Sequence, residues 1–284
     1  VTIRRLLLIA VVVTLLGCTA TETIPMEDEG NNRPSGVVLA ASEASRVSDP
    51  GVAPETVEEL TGSNQAFALD LYRYLADQSD DNLFFSPHSI SVALAMTYAG
   101  AEGDTAQEMA DTLNFTLPED ELHAAFNALD QALAQRGEGA EGKDGEGFRL
   151  HVVNALWGQQ GYGFEEAFLD LLARNYGAGL RLVDFVKETE AARGRINDWV
   201  EEQTEGRIED LIPQGAVDAM TRLVLTNAIY FNAAWAVPFE EELTEDGTFN
   251  LLDGSTVDVP MMHKTESLGY AAGESYQALE LPYD

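Results

Sequence analysis

The sequence predicts an α+β fold. Helical patterns fill the first half of the folded region, strand patterns fill the second half, and no regular strand–helix–strand rhythm connects them. In the first half, apolar residues recur every three or four positions, whereas the second half shows alternation and short apolar runs. The final portion, from Phe249, is typical of strands, with a hairpin that turns at Asp253 and Gly254.

Four helices are predicted in the first half of the folded region. They cover residues 64–76, 87–99, 105–113 and 118–135. Ser86 and Pro87 supply an N-cap and a favoured first residue for the second helix, and Thr105 with Glu108 forms a capping box for the third. The second helix is apolar nearly all round, so we expect it to be buried. The apolar run 83–85 just before it predicts a short buried strand.

Strands and further helices alternate irregularly in the rest of the chain. Strands are predicted at 149–157, 180–185 and 220–231, and helices at 164–177 and 190–205. Asn154 and Asn227 lie in two of these strands within similar surroundings, VVNALW and LTNAIYF. Because both strands are largely apolar on both faces, we expect them to be central and each amide to find a hydrogen-bond partner.

Composition excludes several classes of function. The chain carries 49 Asp and Glu against 16 Lys and Arg, a formal net charge of −33, which argues against a nucleic-acid partner. Cys18 is the single cysteine, so neither an intrachain disulfide nor a cysteine-based metal site can form. The content of hydrophobic residues, 45%, is enough for a full-sized core.

The N-terminus has the parts of an export signal. Arg4 and Arg5 precede a short apolar run, and Leu15-Leu16-Gly17-Cys18 resembles the lipobox of bacterial lipoproteins. We therefore expect residues 1–17 to be a signal peptide and Cys18 to carry a lipid that anchors the exported protein to the cell envelope or extracellular surface. Residues 18–60 contain no aromatic residue and many acids, which predicts a flexible acidic tether and a folded part that begins near residue 61.

No motif in the sequence indicates catalysis. The four His are scattered, so we expect no metal site, and no G-x-S-x-G elbow is present. Gly137, Gly139 and Gly142 match G-x-G-x-x-G, and the run to Lys143 nearly matches a phosphate-binding loop. However, Asp144 replaces the Ser or Thr and neighbouring Glu residues would repel phosphate. We therefore predict a charged surface loop, no catalytic residue, no cofactor and no enzyme activity.

Several blocks of sequence together resemble the serpin family of serine protease inhibitors. The blocks are NLFFSPHSISVALAMTYAGAEGDTAQEMADTLNF, NALWGQQ, INDWVEEQTEGRIEDLIP, LVLTNAIYFNAAWAVPF and VPMMH, which occur in family order. The resemblance implies a serpin-like fold, with about nine helices clustered towards the N-terminal side of a large central sheet accompanied by two smaller sheets.

The resemblance also implies roles for particular residues. Ser86, Ser89 and Asn227 match the shutter, a polar cluster beneath the main sheet where two strands part to admit the reactive loop. Trp235 matches the tryptophan near the point where that loop first enters. A further set matches the helix that crosses the front of the sheet: Asn197, Trp199, Thr204, Gly206 and Ile208.

The function that the resemblance implies is inhibition of serine or cysteine proteases by suicide trapping. The protease cleaves an exposed loop, the loop inserts as a new strand, and the acyl-enzyme is held in a distorted state. We expect residues 61–284 to be an incomplete serpin domain that stops before the reactive loop, monomeric when complete and prone to aggregate alone. Two alternatives remain open, a non-inhibitory serpin and a surface-tethered ligand-binding lipoprotein.

Overall fold

The computed structural model describes residues 38–40, 42–78, 82–136 and 149–283. The predicted signal peptide, Cys18, residues 18–37 of the predicted tether and the glycine-rich loop at 137–147 lie outside this range. None of the helices among the described residues is long and apolar enough to cross a membrane. The mixture of helices and sheets confirms the predicted α+β class.

The described part of the chain contains six α-helices, eight strands and one short 3-10 helix. The helices are α1 (Pro54–Ala76), α2 (Pro87–Tyr98), α3 (Gly103–Leu113), α4 (Glu119–Gln135), α5 (Glu166–Tyr176) and α6 (Thr189–Gln203), with the 3-10 turn at Glu241–Leu243. The strands are β1 (Val38–Ala40), β2 (Arg149–Gln159), β3 (Leu180–Val183), β4 (Leu223–Asn232), β5 (Glu245–Asn250), β6 (Thr256–Met261), β7 (Tyr270–Ala272) and β8 (Gln277–Leu279).

The folded part begins earlier than the predicted boundary at residue 61. Helix α1 starts at Pro54, ten residues before the predicted start, and β1 lies within the predicted tether. The first turns of α1 are rich in Glu and show a weak apolar pattern, so sequence periodicity misses them. Tertiary packing decides their conformation, because Leu60 is fully buried in a cluster with residues of α2 and α4.

Around α2, one local prediction is confirmed and two are wrong. The Ser86 Oγ accepts a hydrogen bond from the Ser89 amide at 3.3 Å and caps the helix as expected. Residues 83–85 form no strand, and Phe84 is exposed. Helix α3 begins at Gly103 instead of after Thr105, so Thr105 lies within the helix and does not cap it. Gly103 has a positive φ of 58°, which a residue without a Cβ adopts readily.

The main sheet has the strand order β1-β3-β2-β4. Strand β1 is antiparallel to β3, and β3 is parallel to β2. Strands β2 and β4 run in opposite directions, since the end of β2 meets the start of β4 through the Gln159 amide and the Arg222 carbonyl at 2.9 Å. Strand β2 is therefore central, as predicted, whereas β4 is the last strand of this sheet in the described part of the chain.

Helix α6 packs across the sheet through aromatic and aliphatic side chains. The rings of Trp199 on α6 and Trp157 on β2 meet edge to face, with centroids 5.5 Å apart. The Arg181 guanidinium lies 4.7 Å from the Trp199 ring centroid, a cation–π arrangement. Ile196 and Val200 are fully buried in the same cluster, and burying one such side chain contributes about 1.5–3 kcal/mol.

Residues 231–284, with residues 135–150, form the second of two compact units; residues 1–134 and 151–230 form the first. Within the second unit, β5 and β6 are an antiparallel hairpin that begins at Glu245 and includes the predicted turn. Gly254 has a positive φ of 81°, and the Asp253 carboxylate accepts a hydrogen bond from the Ser255 amide at 2.8 Å. Strands β7 and β8 pair in the same antiparallel way.

His123 on α4 is a buried titratable residue in the first unit. Its Nδ1 lies 2.6 Å from the Tyr176 hydroxyl, whereas its Nε2 is buried, lies 3.9 Å from a Glu119 oxygen and has no hydrogen-bond partner among the residues that the structure describes. The ring also contacts Tyr98. Burial lowers the pKa of His123 to about 4 and raises the pKa of Glu119, because the low-polarity surroundings oppose charge on either group.

Acid should destabilise this region through His123. Its neutral form is favoured in the folded state, so the stabilisation is complete above the unfolded pKa of about 6.5 and is lost as the pH falls towards 4. We expect the free energy of unfolding to fall by about 2 kcal/mol more between pH 7.5 and pH 5 in the unaltered protein than in His123→Gln. Urea unfolding at both pH values measures this difference, with the exposed His263→Gln as the control. Equal pH dependence in His123→Gln and the unaltered protein would contradict the prediction.

Candidate functional site

The candidate site begins at the N-terminal end of α2. Ser89 and Ser91 are fully buried on this helix, and Pro87 in the first turn removes a backbone donor that would have no intrahelical partner. The Ser91 hydroxyl donates to the Asn64 side-chain oxygen on α1 at 2.7 Å. Small polar side chains thus let α2 approach its neighbours closely while keeping its hydroxyl groups hydrogen-bonded.

Asn227 on β4 joins this helix to the sheet. Its Nδ2 donates to the Ser89 carbonyl oxygen at 3.0 Å and to the Asn154 Oδ1 on β2 at 2.6 Å. The same nitrogen is in hydrogen-bond contact with the Ser89 Oγ. Because an amide nitrogen carries two hydrogens and faces three acceptors here, at least one N–H is shared between two of them. One side chain therefore ties together α2, β2 and β4.

We call Ser86, Ser89, Asn154 and Asn227 the polar cluster. Ser89 makes the direct contact with Asn227, whereas Ser86 acts through the helix cap by accepting the Ser89 amide. Ser89 therefore connects the helix cap to the strand amide. Asn154 was recognised from sequence as a buried strand residue but was not assigned to the site, although its resemblance to the Asn227 context is the signal that could have placed it there.

A pinned segment follows α6 and leads the chain back to the sheet. The Asn197 side chain accepts from the Ile212 amide at 2.8 Å and donates to the Ile212 carbonyl at 3.0 Å. The buried Thr204 hydroxyl donates to the Val200 carbonyl at 2.8 Å and accepts from the Ile208 amide at 3.2 Å. Side chains predicted for the crossing helix thus fix both its end and the turn that follows.

Trp235 lies in the second unit. Its ring stacks on Tyr283, with centroids 4.8 Å apart and planes inclined by 13°, and the two residues also form an isolated antiparallel bridge. The Phe239 ring packs edge to face against the Trp235 ring, with centroids 6.2 Å apart. Trp235 is thus the centre of an aromatic group that also contains Phe239 and Tyr283.

The described residues contain no group of three or more His, Cys, Asp or Glu side chains placed to hold a metal ion. The polar cluster itself consists of hydroxyl and amide groups, which are neutral at ordinary pH. Its geometry is suited to holding and releasing secondary-structure elements by hydrogen bonds.

A protein-family model described as "Serpin (serine protease inhibitor)" matches residues 62–284. The chain belongs to the serpin family. This serpin chain is 40% identical over 230 residues to leukocyte elastase inhibitor A of Rattus norvegicus, covering 80% of the chain and 58% of that relative. It is 42% identical over 219 residues to an uncharacterised serpin-like protein of Thermococcus kodakarensis, covering 77% of the chain and 49% of that relative.

Solved serpin structures share the fold. An Arabidopsis serpin in its native stressed conformation matches with a TM-score of 0.71 and 30% identity, covering 82% of this chain and 58% of that one. A tumour-suppressing serpin matches with a TM-score of 0.72 and 26% identity, covering 80% and 60% respectively. The serpin chain thus spans a little over half the length of these relatives.

The Asn227 amide should contribute measurably to stability. In Asn227→Ala, the Asn154 oxygen and the Ser89 carbonyl lose their donor, so we expect the free energy of unfolding to fall by about 1–3 kcal/mol. Removal of the cap in Ser86→Ala should cost about 1 kcal/mol. Urea unfolding measures both, with the exposed strand residue changed in Asn250→Ala as the matched control. Equal stability of Asn227→Ala and Asn250→Ala would show that the polar cluster is not a structural tie.

Proposed function

We propose that the protein to which this chain belongs inhibits serine-type endopeptidases by inserting its cleaved reactive loop into the main sheet. The inhibitor contributes no catalytic residue and no cofactor to this reaction; the protease performs its own acylation and is then trapped. Cysteine proteases, which also form an acyl-enzyme, are a second possible class of target within the same mechanism.

The position of the polar cluster carries this proposal. Asn227 holds β4 against β2 and the N-terminal end of α2, and β4 is the last strand of the main sheet in the described part of the chain. Strand insertion requires elements of a sheet to separate and re-form with new main-chain hydrogen bonds. A few neutral hydrogen bonds suit this task, because each can be broken and remade at low cost compared with a packed apolar core.

The proposed role of the polar cluster is therefore that of the shutter. Ser86 caps the first turn of α2, and Ser89 presents its oxygen atoms to the sheet. Asn227 on β4 binds those oxygen atoms and so ties β4 to the helix. Trp235 is proposed to mark the loop-entry region through its aromatic packing with Tyr283 and Phe239. The family membership of the chain supports both assignments.

The names of the relatives support a serine protease as the target. Several matched relatives, from rat to human, are named leukocyte elastase inhibitors. The net charge of −33 further favours a target whose surface is basic, since opposite charges accelerate association. We propose a monomeric inhibitor with a protein partner and no nucleic-acid partner.

The proposed inhibition is tested on the full product of the reading frame that contains residues 1–284. Incubation with elastase-, chymotrypsin-, trypsin- and subtilisin-type proteases, with papain as the cysteine-protease arm, should give a complex that survives boiling in sodium dodecyl sulfate. A protease whose active-site serine is replaced by alanine is the control and should give no such complex, because no acyl bond can form. Cleavage of the protein by every protease without any stable complex would overturn the proposal and favour a non-inhibitory serpin.

We further propose that Cys18 carries a lipid and anchors the exported protein to the cell envelope. The support is the sequence around it, an apolar run behind two arginines that ends in Leu15-Leu16-Gly17-Cys18. In a bacterial host with lipoprotein processing, the protein should incorporate labelled palmitate and partition into detergent, because acyl chains bind membranes through their buried methylene groups.

Cys18→Ser should lose both the label and the detergent partition, whereas Thr19→Ser, a neighbouring change, should retain them. Equal labelling of Cys18→Ser and the unaltered protein would exclude Cys18 as the attachment site. The anchor and the inhibitory mechanism are independent, so failure of either test leaves the other proposal standing.

A further inference from the structure

Residues 42–53 precede the region that matches the serpin family model and lie along α4 and the end of α5. We call them the strap. The Arg46 Nε donates to the Asn127 Oδ1 at 2.8 Å, and an Arg46 terminal nitrogen donates to the Asp130 carboxylate at 2.6 Å. A single arginine thus bridges a buried amide and an acid on neighbouring turns of α4.

The main chain of the strap is bound as firmly as its arginine. The Val47 amide donates to the Arg174 carbonyl near the end of α5 at 2.9 Å. The Val47 carbonyl accepts from the Asn127 Nδ2 at 2.8 Å and from the Gln131 Nε2 at 3.1 Å. The backbone N–H and C=O of Val47 are therefore both hydrogen-bonded, as they are when an extended peptide binds in a groove.

Asn127 and Gly177 make the groove specific for the strap. Asn127 is fully buried, and its oxygen accepts from Arg46 and from Gln131. Its nitrogen donates to the Val47 carbonyl at 2.8 Å and more weakly to the Arg174 carbonyl at 3.4 Å, so without the strap the amide would lose the shorter of its two donor contacts and one of its two donors. Gly177 ends α5 with a positive φ of 60°, and a Cβ at that position would stand 3.0 Å from the Arg46 Cδ. The missing side chain of Gly177 therefore leaves room for the aliphatic part of the Arg46 side chain.

The strap is preceded by β1, which pairs with β3 on the side opposite β2. Ser42 at the start of the strap is hydrogen-bonded to Asp170 on α5. A strand of three residues makes too few hydrogen bonds to stay in place alone, whereas a neighbouring anchor makes its pairing effectively intramolecular. The strap therefore supplies the attachment that β1 itself lacks.

We propose that the strap is a latch, with Arg46 as its lock, which keeps β1 on β3 and denies that edge of the main sheet to a second copy of this chain. An uncovered strand edge presents main-chain donors and acceptors that another chain can pair with. Release of Arg46 frees the strap, uncovers β3 and permits edge-to-edge association between two copies. This proposal does not depend on the inhibitory function proposed above.

The first test compares Arg46→Ala with Arg73→Ala in the full product of the reading frame that contains residues 1–284. Arg73 forms an exposed ion pair with Asp70 at 3.1 Å on α1, away from the strap, and is a matched loss of one positive charge. In Arg46→Ala, the amides of Ala40, Leu180 and Leu182, which face across the β1–β3 pair, should exchange hydrogen about 10-fold faster or more. The reason is that local opening of β1 then no longer requires a charge-assisted bond of Arg46 to break. A glutamate-specific protease should also cleave after the exposed Glu43 faster. Arg73→Ala should change neither rate.

A second variant, Asp130→Asn, distinguishes release of the strap from a general loss of folding in Arg46→Ala. Asp130→Asn keeps the Arg46–Asn127 bond and removes only the ion pair, so it should give a smaller acceleration in the same places. Asp104→Asn, which removes an exposed acid on α3, should give none. Unchanged exchange at Leu180 and Leu182 in both Arg46→Ala and Asp130→Asn would overturn the latch.

Light scattering after size-exclusion chromatography tests what the opened edge binds. Arg46→Ala should shift towards dimers with rising concentration, while the unaltered protein and Arg73→Ala should keep their mass. Addition of a synthetic peptide with the sequence of residues 38–53 should reverse the shift by reoccupying the seat. A strap that is released while the protein stays monomeric would overturn the part of the proposal that concerns a second copy.

Discussion

The need to satisfy side-chain amides where helices meet the sheet is the constraint on which the main sheet of this serpin chain depends. The Asn227 side chain lies where α2, β2 and β4 meet, and it has acceptors on both of the other elements. Removing those partners would leave polar groups in an apolar setting at a cost of about 1–3 kcal/mol, a large share of the net stability of a domain. Helix α2 must therefore place Ser89 opposite Asn227, and the Ser86 cap fixes the first turn in which Ser89 lies. The capping of α2 and the register of β4 on β2 therefore depend on the same hydrogen bonds of Asn227.

Asn127 imposes the same requirement at a second place. This amide is fully buried on α4, and two of its hydrogen-bond partners, Arg46 and Val47, lie outside the region that matches the family model. The strap is consequently part of the folded unit, and β1 extends the sheet beyond β3. The two amides differ in their settings. Asn227 is proposed to sit where the sheet must open during inhibition, whereas Asn127 is proposed to hold an edge closed.

Sequence reasoning succeeded where the relevant interactions are local. The cap of α2 could be predicted because Ser86, Pro87 and Ser89 lie within one turn, and the hairpin turn because Asp253 and Gly254 have strong conformational preferences. It failed where distant contacts decide the conformation. The first ten residues of α1 and the strap have acidic, weakly patterned sequences that predict a tether. Leu60 and Arg46 order them through residues roughly 30–80 positions away along the chain.

The sequence by itself determined the class of fold, the family and three of the four residues of the polar cluster, Ser86, Ser89 and Asn227, because these follow from helix and strand periodicity and from collinear blocks of residues. It also determined the acidity of the chain. Only the tertiary structure decided that Ser89 makes the direct contact with Asn227, that Asn154 shares the same amide, and that Arg46 seats the strap between α4 and α5. The physical reason is that hydrogen-bond partners distant in sequence are chosen by the packing of whole elements, which no local pattern records.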